Sequence, residues 1–161
     1  MIYADNAATT QLAPEALARM MPYLQVEYGN ASQPYSFSRT AKSALKEARE
    51  TIAACINANP EEIYFTSGGS EGNNLILKGL LKPGHHFITT AFEHHSIIST
   101  CKQLEEKGVK VTYLDVDSEG RISLEDLEEA ITKDTVLVLI MQVNNEIGVI
   151  QDIEADRKSV V

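Results

Sequence analysis

The sequence predicts an α/β domain built on a mostly parallel sheet with helices on both of its faces. Two patterns and one composition point there. Short strand-like runs alternate with segments whose apolar residues recur at steps of three and four, the order expected of strand–helix–strand units. The last strand-like run, residues 136–141, is apolar without alternation, as a strand covered on both faces would be. With 43% apolar residues, 9 Gly and 5 Pro among 161 residues, the chain can bury a core and does not read as disordered.

The elements follow in order. Asp5-Asn6-Ala7-Ala8-Thr9-Thr10 is polar and turn-rich, and Pro14 then suits the opening of a helix running from Glu15 to about Glu27. Gly29-Asn30 stops it, and residues 31–38 form a polar loop carrying Tyr35 and Phe37. Ala41, Ala44, Leu45, Ala48, Ile52, Cys55 and Ile56 then share one face of a second helix, which ends at Asn57-Ala58-Asn59-Pro60. Ile63-Tyr64-Phe65-Thr66 reads as a short strand and Ser67-Gly68-Gly69-Ser70 as the turn into a helix reaching about Leu81. A second strand is predicted at residues 87–90, followed by a helix over 94–107 with Ile97, Ile98, Cys101 and Leu104 on one side and Gly108 as its cap. Residues 109–114 give the third strand, Ser123 the N-cap of a helix over 124–131, and residues 136–141 the fourth strand. With no internal repeat, low-complexity segment or dividing linker, the chain reads as one domain, residues 1–30 being its N-terminal arm and helix region.

Charge and composition exclude several roles. The chain carries 14 Lys and Arg against 23 Asp and Glu, a net charge of −9, and no basic stripe offsets it, so no nucleic-acid partner is expected. Its longest apolar run has six residues, far short of the roughly 20 that span a bilayer, so no membrane partner is expected either. The opening MIYADNAATT lacks the basic and long apolar stretches of a secretory signal, which sets the expectation of a cytoplasmic protein. Two cysteines cannot build a disulfide framework or a four-cysteine zinc site. Cys55 and Cys101 each fall on the apolar face of a predicted helix and read as small core residues rather than nucleophiles.

In open parallel sheets ligands bind beyond the carboxyl ends of the strands. Three polar segments follow predicted strands here: Ser67-Gly68-Gly69-Ser70-Glu71, Ala91-Phe92-Glu93-His94-His95 and Gln142-Val143-Asn144-Asn145-Glu146. The Ser-Gly-Gly-Ser turn has the parts of an anion cradle, namely glycines that admit close approach, free amides at a helix start and a hydroxyl at Ser70. It also reads as an ordinary tight turn with Ser70 as N-cap. It is neither a P-loop nor a dinucleotide fingerprint. Adjacent His94 and His95 diverge at a helix start and His85-His86 lies at the other end of a strand, so the histidines do not read as one metal site. A single imidazole at the sheet edge, used for stacking or proton transfer, is the alternative to a capping histidine. Asn144-Asn145 either offers amides to a polar ligand or satisfies its own turn.

Together these segments resemble a known family. Asp5-Asn6-Ala7-Ala8-Thr9-Thr10, Gly29-Asn30, Phe65-Thr66-Ser67-Gly68-Gly69-Ser70-Glu71, Glu93-His94 and Val143-Asn144-Asn145-Glu146-Ile147-Gly148 are similar in order and spacing to the cysteine desulfurases of the class V aminotransferase-like group. The resemblance runs from Ile2 to about Ile153. It implies part of the large domain of the type I fold of pyridoxal-phosphate enzymes, with pyridoxal 5'-phosphate as cofactor and cysteine as substrate. It also implies that cysteine becomes alanine while its sulfur passes as a persulfide toward iron–sulfur cluster or thiocofactor assembly. By position, Gly69 and Ser70 would hold the cofactor phosphate, Ser70 standing where the family usually has Thr. His94 would be the catalytic imidazole that stacks on the pyridine ring and helps move protons, and Asn145 the amide near the ring hydroxyl and the substrate carboxylate. No metal is implied. Selenocysteine lyases and other class V members share parts of these motifs, so that alternative stays open.

The departures from the family pattern set further expectations. Family members are much longer, and none of the nine lysines here lies in the Ser-x-His-Lys segment whose lysine forms the Schiff base. The aspartate that pairs with the pyridine nitrogen and the mobile-loop cysteine that takes the sulfur are also missing, so this chain alone is expected to be inactive. Tyr35 and Ser38 stand where many relatives have His and Gly. Residues 154–161 depart from the amphipathic helix of the family and look like an atypical tail left by truncation. The chain would supply the first four strands of the family's sheet and lack the later ones. Its second, third and fourth could stay adjacent, but its first would lose its neighbour, predicting either a strand-exchanged homodimer or oligomer, or re-pairing of that strand in a foreign position. Two other readings are half of a split enzyme completed by another chain, and a non-catalytic interaction module that uses its open sheet edges.

Overall fold

The computed structural model describes residues 2–153; the tail expected at 154–161 lies outside them. The chain divides into two compact units, Met1–Phe65 and Thr66–Val161, where the sequence reading has one domain.

In the first unit, α1 (Pro14–Gln25) opens on a proline whose missing N–H would have no helical partner anyway. The turn after α1 needs a glycine because of a close approach: a Cβ on Gly29 would lie 2.6 Å from the Phe37 carbonyl oxygen. Tyr28 and Phe37 meet edge to face beside it, with ring centroids 5.1 Å apart. A 3-10 turn at Ser36–Ser38 leads into α2 (Arg39–Cys55), which Asn57 terminates in a left-handed conformation at φ 53°. The Ala58 N–H then closes onto the Ala53 carbonyl. The Ser38 hydroxyl is buried without a hydrogen-bond partner among the described residues.

This unit buries little. Ala53 is the one fully buried apolar side chain among its described residues, while Leu45, Ile52 and Ile56, on the face predicted to pack, are 41–64% exposed. Cys55, expected in the core, is exposed as well. The periodicity was real, but a helical face is buried only where another element covers it.

Residues 63–66 form no strand. Arg49 holds this stretch, donating from Nε to the Ile63 carbonyl at 3.1 Å and standing 5.1 Å over the Phe65 ring. Tyr64 is 77% exposed. A β-like run becomes a strand only when a neighbouring strand takes its N–H and C=O groups, and among the described residues no strand pairs with this one. Of the two outcomes expected for the first strand, exchange with another copy or re-pairing within the chain, the second is not seen among the described residues.

In the second unit, β1 (His86–Thr90), β2 (Lys110–Leu114) and β3 (Thr135–Val138) form a parallel sheet in the order β2-β1-β3. These correspond to the second, third and fourth predicted strands, adjacent as expected. β1 is central and buried at every residue. β3 is an edge, half-buried and with Val136 47% exposed. The expected cover on both faces is present in part, since Leu137 and Leu139 pack against one core and Val138 and Ile140 against the other; the edge position, which an apolar run does not report, leaves the strand half-buried.

Helices lie on both faces, as expected. Phe87 faces α3 (Gly69–Leu80) and α4 (His95–Glu105) in a core with Leu77, Leu81, Ile97, Cys101 and Leu104. Its neighbour Ile88 faces the other way, packing with Leu114 and with Leu127 of α5 (Leu124–Ala130). Each such buried side chain is worth about 2 kcal/mol relative to exposure. The crossover from β1 to β2 carries α4 and that from β2 back past β1 to β3 carries α5. Crossovers of one hand running in opposite directions put their helices on opposite faces. The reversal makes the carboxyl end of β1 the switch point of the sheet.

Candidate functional site at the carboxyl end of the sheet

The residues after β1 are built around a buried carboxylate. Glu93, 8% exposed, accepts on Oε1 both the Met141 N–H at 2.6 Å and the Thr90 hydroxyl at 3.2 Å. Burial pushes its carboxyl up, and the bonds from Met141 and Thr90 oppose that shift. Asn144, also buried, donates from Nδ2 to the Phe92 carbonyl at 3.4 Å and accepts on Oδ1 the N–H groups of Glu146 and Ile147 at 2.9 and 3.1 Å. The segments after β1 and β3 are therefore hydrogen-bonded to each other. Gln151 ties down the far side of the loop, donating to the Gly120 carbonyl at 2.7 Å and accepting from the Ile122 N–H at 3.2 Å.

His94 is the N-cap of α4. Its Nδ1 accepts the Ser96 N–H at 3.1 Å and lies 2.8 Å from the Ser96 hydroxyl. The His95 ring lies against it, centroids 4.0 Å apart and planes tilted by 36°, so the two imidazoles stack rather than diverge as their adjacency suggested. Two side-chain contacts join α4 to α3: Asn73 Nδ2 donates to Ser96 Oγ at 3.0 Å, and the Thr100 hydroxyl shares its one hydrogen between Asn74 Oδ1 at 3.1 Å and the Ser96 carbonyl at 2.9 Å. Asn74 in turn donates to the Ser70 carbonyl at 2.8 Å.

At the start of α3, Gly68 rather than Ser70 occupies the N-cap, which corrects the capping reading of Ser70. The first helical bond runs from the Gly72 N–H to the Gly68 carbonyl at 3.1 Å, so the amides of Gly69, Ser70 and Glu71 have no helical acceptor. Space beside Gly68 and Gly69 is open, with no atom within 4 Å of a Cβ built on either. The Glu71 carboxylate accepts the Ser67 hydroxyl and N–H, both at 2.6 Å, and those bonds hold it below its usual range.

Of the four predicted site residues, Gly69, Ser70 and His94 sit on helices that are hydrogen-bonded together. Asn145 is on the loop that Asn144 shapes, its side chain exposed and donating to Glu146 Oε1 at 3.2 Å. Among the described residues no hydrogen bond joins these four groups directly. Sequence reasoning assigned no site role to Glu93, which it read only within the Glu93-His94 motif, and none to Ser96, Asn73 or Gln151. Among the described residues no cluster of three metal-ligating side chains exists, and no helix is long and apolar enough to cross a membrane.

Residues 2–159 match the model of the aminotransferase class-V family. The chain belongs to that family. It is 49% identical over 157 residues to a cysteine desulfurase IscS of Clostridium botulinum (strain Kyoto / Type A2), across 95% of this chain and 40% of that protein. It is 50% identical over 157 residues to cysteine desulfurase 2 of Trichormus variabilis, across 96% and 39%. Among solved structures, a NIFS-like protein superposes with a TM-score of 0.93 at 38% identity, covering 97% of this chain and 44% of that one. SspA in complex with cysteine superposes at 0.92 with 40% identity, covering 98% and 47%. This class-V chain thus carries part of the type I pyridoxal-phosphate enzyme fold and spans about 40% of the length of the curated relatives it matches.

Proposed function

We propose that this chain supplies the phosphate-holding and ring-stacking portion of a pyridoxal-phosphate-dependent cysteine desulfurase site. The observation that carries the reading is the open start of α3: three amides without helical acceptors and two glycines that leave the backbone approachable. It is braced to the helix that His94 caps through Ser70, Asn74 and Thr100. A helix start of this kind suits an anion through its dipole and its free N–H groups. The residues present fit the cofactor. The Gly69 and Ser70 amides and the Ser70 hydroxyl would hold the phosphate, the His94 ring would lie against the pyridine, and Asn145 would offer an amide to its hydroxyl side. When bound, the cofactor supplies the electron sink for breaking a bond of the amino-acid substrate. The chain's own part is to hold the anion, orient the ring and offer a proton site at His94.

None of the nine lysines lies in a Ser-x-His-Lys segment, so in this reading a further polypeptide segment completes the site, and the 161-residue chain alone releases no sulfide from cysteine. Titration with pyridoxal phosphate, followed by ring absorbance and by competition with inorganic phosphate, tests the proposal. Binding that phosphate competes for, weakened about tenfold or more by Ser70→Ala through loss of one charge-assisted hydrogen bond, is the expected result. Binding unaffected by phosphate and by Ser70→Ala would refute the cradle, and sulfide release by this chain alone would refute the division of the site. A second reading, a homodimer or strand-exchanged oligomer, is favoured by the half-exposed edge at β3. The cytoplasmic setting belongs to the same proposal, and cell fractionation tests it.

A further inference from the structure

We propose that Ser96, braced by Asn73, is a positioning residue that holds His94 as its Nε2–H tautomer, leaving Nε2–H as the ring hydrogen that the site can use. The inference rests on the reading of His94 as the imidazole of the site. A backbone N–H can only donate, so the Ser96 amide 3.1 Å from Nδ1 requires Nδ1 to present its lone pair, and the neutral ring then carries its hydrogen on Nε2. The Ser96 hydroxyl reinforces this. Its oxygen accepts from Asn73 Nδ2 at 3.0 Å, which leaves its own hydrogen to turn toward Nδ1, 2.8 Å away.

Ser96 is 8% exposed, so bulk water competes poorly for either bond. A half-turn of the imidazole would replace Nδ1 by Cδ2 and forfeit both bonds, and the His95 ring packed at 4.0 Å resists that rotation. Asn73 sits one turn beyond the free amides of α3, so the string Asn73–Ser96–His94 runs from the proposed anion cradle to the imidazole. With Nδ1 occupied on the protein side, His94 meets a ligand as a hydrogen-bond donor at Nε2, and this nitrogen accepts a proton only after giving one up.

Long-range 1H–15N correlation spectra of the full chain, labelled with 15N-histidine and recorded near pH 8 without cofactor, test the assignment. The expected spectrum shows His94 Nε2 as the protonated nitrogen and Nδ1 as a hydrogen-bonded acceptor. Ser96→Ala is expected to lower the ratio of Nε2–H to Nδ1–H tautomer about fivefold, the worth of one hydrogen bond. Asn73→Ala should move it the same way by less, and Ser96→Thr should restore it. The signals of His86, at the opposite end of β1, report in the same spectra whether each variant is folded. If Ser96→Ala does not fold, the wild-type tautomer together with Asn73→Ala and Ser96→Thr decides the matter. A wild-type hydrogen on Nδ1, or a ratio unmoved by Ser96→Ala and Asn73→Ala in folded protein, overturns the proposal. Because no cofactor is present, a failure of the pyridoxal-phosphate reading leaves these spectra unchanged, and a failure here leaves the binding titration unchanged.

Discussion

Glu93 places a carboxylate in the protein where the local sequence shows only an acid beside two histidines. Its Oε1 satisfies the half-buried Met141 N–H and the buried Thr90 hydroxyl, so Glu93→Ala leaves both without this acceptor and should cost about 1–3 kcal/mol, read from urea denaturation. Burial raises its folded-state pKa above the usual value of 4.5. The folded chain therefore binds this proton more tightly than the unfolded chain does. The stability contributed by this titration is full below about pH 4.5 and is lost as pH rises through the folded value. The cost of Glu93→Ala should accordingly be largest in acid and shrink toward neutrality; a cost that grows with pH would contradict the burial argument. The cysteines separate just as sharply. Burial pushes the Cys101 thiol up to about 11, while Cys55 is exposed, so iodoacetamide on native protein at pH 8 should give one adduct, at Cys55. Labelling of both would mean that the core of α4 is open.

Among the elements, β1 is held at both ends by polar side chains of unlike purpose. At its carboxyl end Glu93 reaches the segment after β3. At its amino end His86 lies between strands, Nδ1 2.7 Å from Thr135 Oγ1 and Nε2 2.8 Å from Thr112 Oγ1, with a Lys110–Asp134 ion pair at 3.6 Å. Burial, aided by Lys110 and opposed by Asp134, lowers the His86 pKa from 6.5. Its stabilisation is present above about pH 6.5 and is lost as pH falls through the lower folded value, because the unfolded chain protonates first. His86→Ala should cost about 1–3 kcal/mol at pH 7.5 and remove this part of the acid dependence, both measurable by thermal melts at several pH values. The helices and three of the four predicted strands were legible because their periods, caps and glycines are local properties. Ser123, for instance, accepts the Asp126 N–H at 3.1 Å as its position suggests. Residues 63–66 and the edge status of β3 were not legible, since pairing depends on chain that lies elsewhere.

For the whole molecule, two open features go together: a first unit with almost no apolar core and a sheet whose β3 edge is half-covered. If a second copy completes that edge, the Tm should rise with protein concentration by mass action, and light scattering should show a dimer. A Tm flat over a hundredfold range of concentration, with a monomer mass, would leave the edge to a different chain. The net charge of −9 opposes close association, so added salt should favour the dimer.

The amino-acid order by itself determined the alternation of strands and helices, the three polar segments beyond the strands and the membership of the class-V family, because motif spacing and periodicity are carried along one dimension. Tertiary structure decided which of those segments are tied together, since the bonds from Asn73 to Ser96, from Met141 to Glu93 and from Asn144 to Phe92 join residues 23, 48 and 52 positions apart. It also decided that Cys55 and Tyr64 are exposed, because burial is conferred by a neighbour that no local pattern encodes.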